Sequence, residues 1–446
     1  MIEQFGYRQE LRRSLSQFDL VVYGLLVIVT TSPMTTFGIV YNASHGMVPL
    51  VYAVGLVAMI FTALSYVMMS RAFPVAGSVY TYAGRSIGET AGFLAGWVML
   101  LDYVLGPVFI YVAIAVAVQA IRPEVPRGGC IALSVAFSTL VNLLGIEATA
   151  RLNRLLLGAQ LAILAVFLVL SNLALAQGVA GAHVSIAPLF QPSEIRPSLI
   201  FGGLSIAVLS FLGFDAISTL AEEARGGPSA IGRATIVSLG VAAILFIAQT
   251  YLASLFVLGQ TNFPAGQATD GAIYTIAAIV GGIWFKFIIS FKFFFAGLPA
   301  ALAAQVATAR LLFSMARDGK LPRVLSRVHA TRKVPEMAIL LVAAIHLGLG
   351  LVVANQLELL ASMVNFGALS GFLMLHLSVM FHFIWRQRSR DWLRHLLVPL
   401  IGFAIIAYVL LNMAVDAKIA GMAWLMAGII MLITLRRTSK QATLPA

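Results

Sequence analysis

Three ionisable residues stand where ionisable residues are rare: Asp102, Asp215 and Lys292 each interrupt a long run of Leu, Val, Ile, Ala and Phe. A charge at the middle of a membrane helix costs about 2.5 to 3.5 kcal/mol on insertion scales, so it must face a partner, a ligand or water. Two stretches combine residue types suited to binding rather than to packing. Thr30-Thr31-Ser32-Pro33-Met34-Thr35-Thr36 places a proline among five hydroxyls, and Ser210-Phe211-Leu212-Gly213-Phe214-Asp215 sets a glycine and a carboxylate inside another apolar run. Proline removes an amide donor and frees a carbonyl, so a helix holding it in its interior kinks or unwinds. Backbone exposed at membrane depth is tolerated where it lines a cavity, and a pair of interrupted helices in corresponding halves of a chain marks a solute site.

The candidate binding residues are therefore Thr31, Ser32, Met34, Thr35, Asp102, Ser210, Phe211, Gly213 and Phe214, with Asp215, Glu222 and Glu223 as candidates for coupling or gating. Asp102 has two readings, a substrate or ion role and a structural hydrogen bond to the first interruption. Asp215 reads as a gate or packing group, and Glu222 with Glu223 beside Arg225 as an inner-gate salt bridge or a solvated face. Lys292 lies 18 residues before Arg310, about 27 Å of helix. That count places it near the outer end of its span, either snorkelling to the headgroups or lining an external vestibule.

The elements that must position these residues are membrane spans. The chain has 446 residues, 60% hydrophobic and 10% charged, with a mean hydropathy of +0.96. Soluble domains carry about a quarter charged residues, so a cytosolic enzyme, a secreted disulfide scaffold and a disordered regulator are excluded. Cys130 is the only cysteine. About 20 apolar residues cross a hydrocarbon core, and about twelve such segments follow one another, in an all-α integral membrane protein. They run from Phe18 to Tyr41, Gly46 to Ser70, Ala91 to Ile121, Gly129 to Leu144, Leu155 to Ala176, Ser198 to Leu220 and Thr235 to Leu258. The rest run from Gly282 to Leu312, Met337 to Ala354, Leu357 to Trp385, Leu396 to Val415 and Gly421 to Leu435. Asp102 falls about 12 residues, or about 18 Å, into the third.

The net charge of +12 comes from clusters between spans, such as Arg8, Arg12 and Arg13, or Arg386, Arg388, Arg390 and Arg394, while the loops after the seventh and ninth spans hold no Lys or Arg. These clusters read as topology signals rather than as a nucleic-acid surface, and put both termini in the cytoplasm. Residues 71 to 89 read as a connector with a short surface helix. Enzymatic signatures are missing: no HExxH, no Gly-x-Ser-x-Gly and no paired cysteines. Gly227 to Ala234 spaces glycines like a phosphate loop but offers Arg233 and Ala234 where a lysine and a hydroxyl are needed. His376 and His382 read as interfacial imidazoles near one helix end.

In its motifs the chain resembles the amino acid-polyamine-organocation superfamily of secondary transporters, and within it bacterial putrescine importers. The matching stretches include Thr36-Phe37-Gly38-Ile39-Val40, Ala76-Gly77-Ser78 with Tyr80-Thr81-Tyr82, Leu100-Leu101-Asp102-Tyr103, Ser210 to Asp215 with Glu222-Glu223, Arg317-Asp318 and Asn365-Phe366-Gly367-Ala368-Leu369. The resemblance implies a leucine-transporter-like fold. Two inverted five-helix repeats would occupy residues 18–176 and 198–385, with two further helices over 396–435 between a cytoplasmic lead and tail, and the first and sixth helices broken. It also implies a single-domain permease of the inner membrane importing a small amine or amino acid, with no cofactor and with a proton or sodium ion as coupling ion. Two departures bear on the substrate. The importers carry an aspartate where this chain has Thr35, and a neutral residue where it has Lys292. A lysine that some proton-coupled relatives carry in the fifth helix has no counterpart between Leu155 and Ala176. An amino acid or monoamine, a diamine and an organic anion steered by Lys292 all remain as substrates, and a membrane sensor or channel is the rival class.

Overall fold

In a computed structural model the described residues are 15–73, 78–144, 150–192, 194–215, 217, 224–225, 227–317, 322–327 and 335–441. Among them the chain is helical, with one isolated bridge in which Arg225 N donates to Leu15 O at 2.8 Å. The helices are α1 (Gln17–Ile28), α2 (Pro33–Ala43), α3 (Val48–Ala72), α4 (Ser78–Ser86), α5 (Glu89–Ile121), α6 (Arg127–Leu144), α7 (Ala150–Ala176) and α8 (Pro197–Phe211). They continue as α9 (Gly227–Leu255), α10 (Gln267–Asp270), α11 (Ala272–Phe295), α12 (Gly297–Arg317), α13 (Glu336–Val352), α14 (Leu357–Val379), α15 (Val398–Leu411) and α16 (Val415–Gln441). Among the described residues eight helices are long and apolar enough to cross a membrane, α1 with α2 makes a ninth span bent by 52°, and α6, α8 and α13 are shorter apolar helices.

The first span breaks because of its own residues. Ser16 and Asp19 cap α1 reciprocally, and the helix ends at Val29, whose φ of 57° is unfavourable for a β-branched side chain. Pro33 does not kink a continuous helix. It starts α2 in the first-turn position, where a missing amide hydrogen leaves no bond unmade. The carbonyls freed in between are met by other helices: Gln249 Nε2 donates to Thr30 O at 3.0 Å and Lys292 Nζ to Thr31 O at 2.9 Å.

Opposite, the sixth span leaves helix after α8. Helix α8 stops at Phe211, and Gly213 takes φ +103°. A Cβ there would stand 3.0 Å from the Val27 backbone, so glycine is required both for its conformation and for the close approach. The frame holding both breaks is α5 packed along α14, where Gly367 lets the Val98 carbonyl approach to within 2.7 Å of where a Cβ would sit. From α14, Asn365 Nδ2 donates to Ser205 O (2.7 Å) and Ile206 O (3.0 Å) of α8. Asn365 is fully buried, so Asn365→Ala is expected to lower stability by about 1 to 3 kcal/mol, read as a lower melting temperature in detergent. An unchanged melting temperature would remove its tethering role.

Two sequence expectations change. The eighth span does not begin at Gly282: α11 starts at Ala272 and passes through a non-helical Gly282. Counted from Gly282, Lys292 is ten residues inward, about 15 Å of helix, and it is buried at 2% exposure instead of snorkelling. His376 is likewise not interfacial. Helix α14 continues in a wide turn to Arg386, so His376 lies a full ten residues inside that end, fully buried, with Nδ1 2.9 Å from Ser65 Oγ.

Candidate functional site

The two breaks enclose a cavity of about 240 Å³ between α1–α2, α5, α8 and its break, and α11–α12. Of the residues singled out in the sequence, Thr31, Ser32, Thr35, Asp102, Gly213, Asp215 and Lys292 line it. Much of the remaining wall is apolar, with Val27, Ile28, Phe109, Ile110, Leu209, Leu212 and Val364. A space of that size, apolar with a few convergent polar groups, suits a small solute with charged ends.

The charged groups are distributed unevenly. Asp102 is thirteen residues into α5, and its Oδ1 lies against Gly106 one turn on, so the carboxylate follows the helix. Asp215 follows the glycine that packs on Val27. Asp102, Tyr103 and Asp215 line the same cavity. Lys292 reaches the cavity from α11 and donates to Thr31 O, four residues further along the first span than Val27.

The remaining candidates turn away from the cavity. Ser210 Oγ is 2.9 Å from Tyr52 Oη, which also stands 3.4 Å from Thr36 Oγ1. Phe211 packs with Tyr52 and Phe246, and Phe214 meets Tyr66 and Phe372 at ring distances of 5.7 and 5.8 Å. Met34 is core at 1% exposure. These residues brace the breaks, because a buried ring next to an unwound segment gains more from packing on neighbouring rings than from facing a wet cavity. Glu222 and Glu223 lie outside the described residues. Among the described residues no three His, Cys, Asp or Glu side chains gather as a metal site.

Tyr52, Tyr103 and Asn365 were not singled out as site residues. Tyr103 is adjacent to Asp102, and Asn365 is an amide in an apolar span, so both carried a signal. Tyr52 carried none that separates it from other span tyrosines.

The connection between α9 and α11, called the lid below, is seated on α2. Asn42 Nδ2 donates to Phe263 O at 2.9 Å, and Phe263 N donates back to Asn42 Oδ1 at 2.8 Å. Tyr41 Oη donates to Val257 O and Gln260 O. The lid's short helix α10 ends at Asp270, paired with Arg127 at 3.4 Å, both 9% exposed. Arg127 Nε also donates to Gln119 Oε1 (2.7 Å) and an Nη to Ala354 O (3.1 Å).

With this geometry in hand, known proteins can be compared. The sequence model described as amino acid permease matches residues 21–435. The low-affinity putrescine importer PlaP of Escherichia coli strain K12 is 31% identical over 434 residues, spanning 95% of this chain and 94% of that protein. The branched-chain amino acid permease BcaP of Bacillus subtilis is 26% identical over 454 residues, with 95% and 92% covered. A methylthioribose transporter of the same bacterium is 26% identical over 396 residues, with 83% and 81% covered.

Proposed function

The chain belongs to the amino acid permease family of the amino acid-polyamine-organocation superfamily, and on that premise we propose how its cavity takes and moves a substrate. It is a multi-pass membrane transporter and not an enzyme, a secondary permease importing a small amine or amino acid. In our reading it sits in the inner membrane with both termini cytoplasmic. Its substrate occupies the cavity between the two breaks, with the ammonium directed to Asp102 and Asp215. Alternating access moves α1–α2 and α8 against the frame of α5 and α14, and the coupling ion is a proton carried by the carboxylates.

The observation that supports this reading is the cavity itself: two interrupted helices, two carboxylates and an apolar wall meet in one small space. A diamine such as putrescine is the second reading, favoured by the relative named for it. Purified protein in liposomes is expected to accumulate a labelled amino acid or amine when an inward proton gradient is imposed. Failure across amino acids, amines and polyamines, with verified protein insertion, overturns the reading. Ion currents far above transporter turnover would replace it with a channel.

A further inference from the structure

We propose that Lys292 is the carboxylate-recognition residue of the cavity, so that the substrate is a zwitterion bearing one carboxylate and one ammonium, and α,ω-diamines are excluded. The inference rests on the reading of the cavity as the substrate site.

Asp215 lies two residues past Gly213, whose close approach fixes that glycine at the level of Val27, and Asp102 lines the same cavity from α5. Lys292 meets the first span at Thr31, four residues further on. Asp215 and Lys292 therefore meet the first span at different levels, opposite charges four residues apart, with Asp102 on the same largely apolar wall. A zwitterion laid across the cavity meets opposite charge at both ends. A diamine meets the carboxylates with one ammonium and brings the other toward Lys292, a like charge in a small, largely apolar space that screens less than bulk water. Thr35, on the same wall, offers the second ammonium a hydroxyl and no charge.

The position of Lys292 suits this task. Its ammonium has three N–H groups and no acceptor, so it can hold Thr31 O and receive a carboxylate at once. The bond to Thr31 anchors Nζ at the break instead of leaving a long flexible side chain to be ordered on binding, which lowers the entropy lost in recognition. Charged hydrogen bonds are the strong ones, and here one ties the same ammonium to the segment that must move for release.

The test is direct ligand binding to the full-length protein in lipid nanodiscs. Each of the common amino acids is compared with the amine lacking its carboxylate and with putrescine. The wild type is expected to bind at least one amino acid about 10- to 100-fold more tightly than the matching amine, the range set by one charge-assisted hydrogen bond. Lys292→Met is expected to erase that preference and to bind putrescine more tightly than the wild type does, while Lys292→Arg retains part of the preference. Tighter binding of putrescine than of any amino acid by the wild type, or an unchanged preference in Lys292→Met, overturns the inference. The absence of any amino acid binding overturns it as well. A blocking variant, Gly297→Trp, separates this from the underlying reading. If it abolishes binding while Lys292→Met changes nothing, the cavity is the site and the role of Lys292 is wrong; if binding survives the block, the site itself is misplaced. Size-exclusion profiles of each variant confirm that folded protein is compared.

Discussion

Neutralising Asp102 with asparagine is expected to abolish accumulation driven by a proton gradient while leaving exchange of labelled for unlabelled substrate in place. A gradient worth about 2.7 kcal/mol sustains about 100-fold accumulation in a fully coupled carrier, and the variant should fall to about equality across the membrane. The two activities separate because they ask different things of the side chain. Exchange needs the ammonium held, and an asparagine oxygen still accepts from it while Asp215 still supplies charge in the same cavity. Coupling needs a group that takes up and releases a proton, which an amide cannot do. Asp215→Asn should separate exchange from accumulation in the same direction, since the two carboxylates line one cavity. If both amide variants keep full pH-driven uptake, proton coupling through this pair is wrong and a sodium gradient becomes the arm to test.

The architecture was legible where a residue type is costly in a membrane. Pro33 and Gly213 marked the two broken spans because nothing in an apolar helix calls for them, and Asp102 marked the cavity because an unpartnered carboxylate there is unaffordable. What stayed hidden was direction. Phe211 ends α8 and Phe214 follows Gly213, yet both rings pack on other aromatic residues, and a motif that leaves the helix partway has no single period from which to read a face. Depth failed for a related reason. Lys292 was measured from Arg310 as if one straight helix joined them, whereas the span passes from α11 to α12 with its outer part beginning before Gly282. Long-range partners were also out of reach: the bond from Lys292 to Thr31 crosses 261 residues, and no local pattern encodes it.

Arg127→Ala is expected to be among the most destabilising single changes outside the cavity, by about 3 to 5 kcal/mol at neutral pH. That is the usual size of the loss when one partner of a buried ion pair is removed and the other charge stays behind. Arg127 joins the end of α5 through Gln119, the chain after α13 through Ala354, and the lid through Asp270. Alanine leaves all three without their donor. The pH dependence identifies which loss dominates. Burial raises the Asp270 carboxyl above the ordinary carboxylate range, against the lowering effect of Arg127, and a second carboxylate, Glu358, feels the charge of Asp270. A carboxyl whose folded pKa is raised contributes stability that is present below its unfolded pKa and is lost as pH rises through the folded pKa. Without Arg127 the folded pKa rises further, so the variant should be weakest at neutral and alkaline pH and recover part of its deficit on acidification, as Asp270 takes a proton and no longer needs a cation. Arg127→Met combined with Asp270→Leu removes both charges and should lose much less than Arg127→Ala alone, because no unpaired charge remains buried. Thermal melting of the single and double variants in detergent at pH 5 and pH 8 checks both statements. An equal deficit of Arg127→Ala at the two pH values would mean that the lost bonds to Gln119 and Ala354, and not the stranded Asp270, account for the instability of the lid.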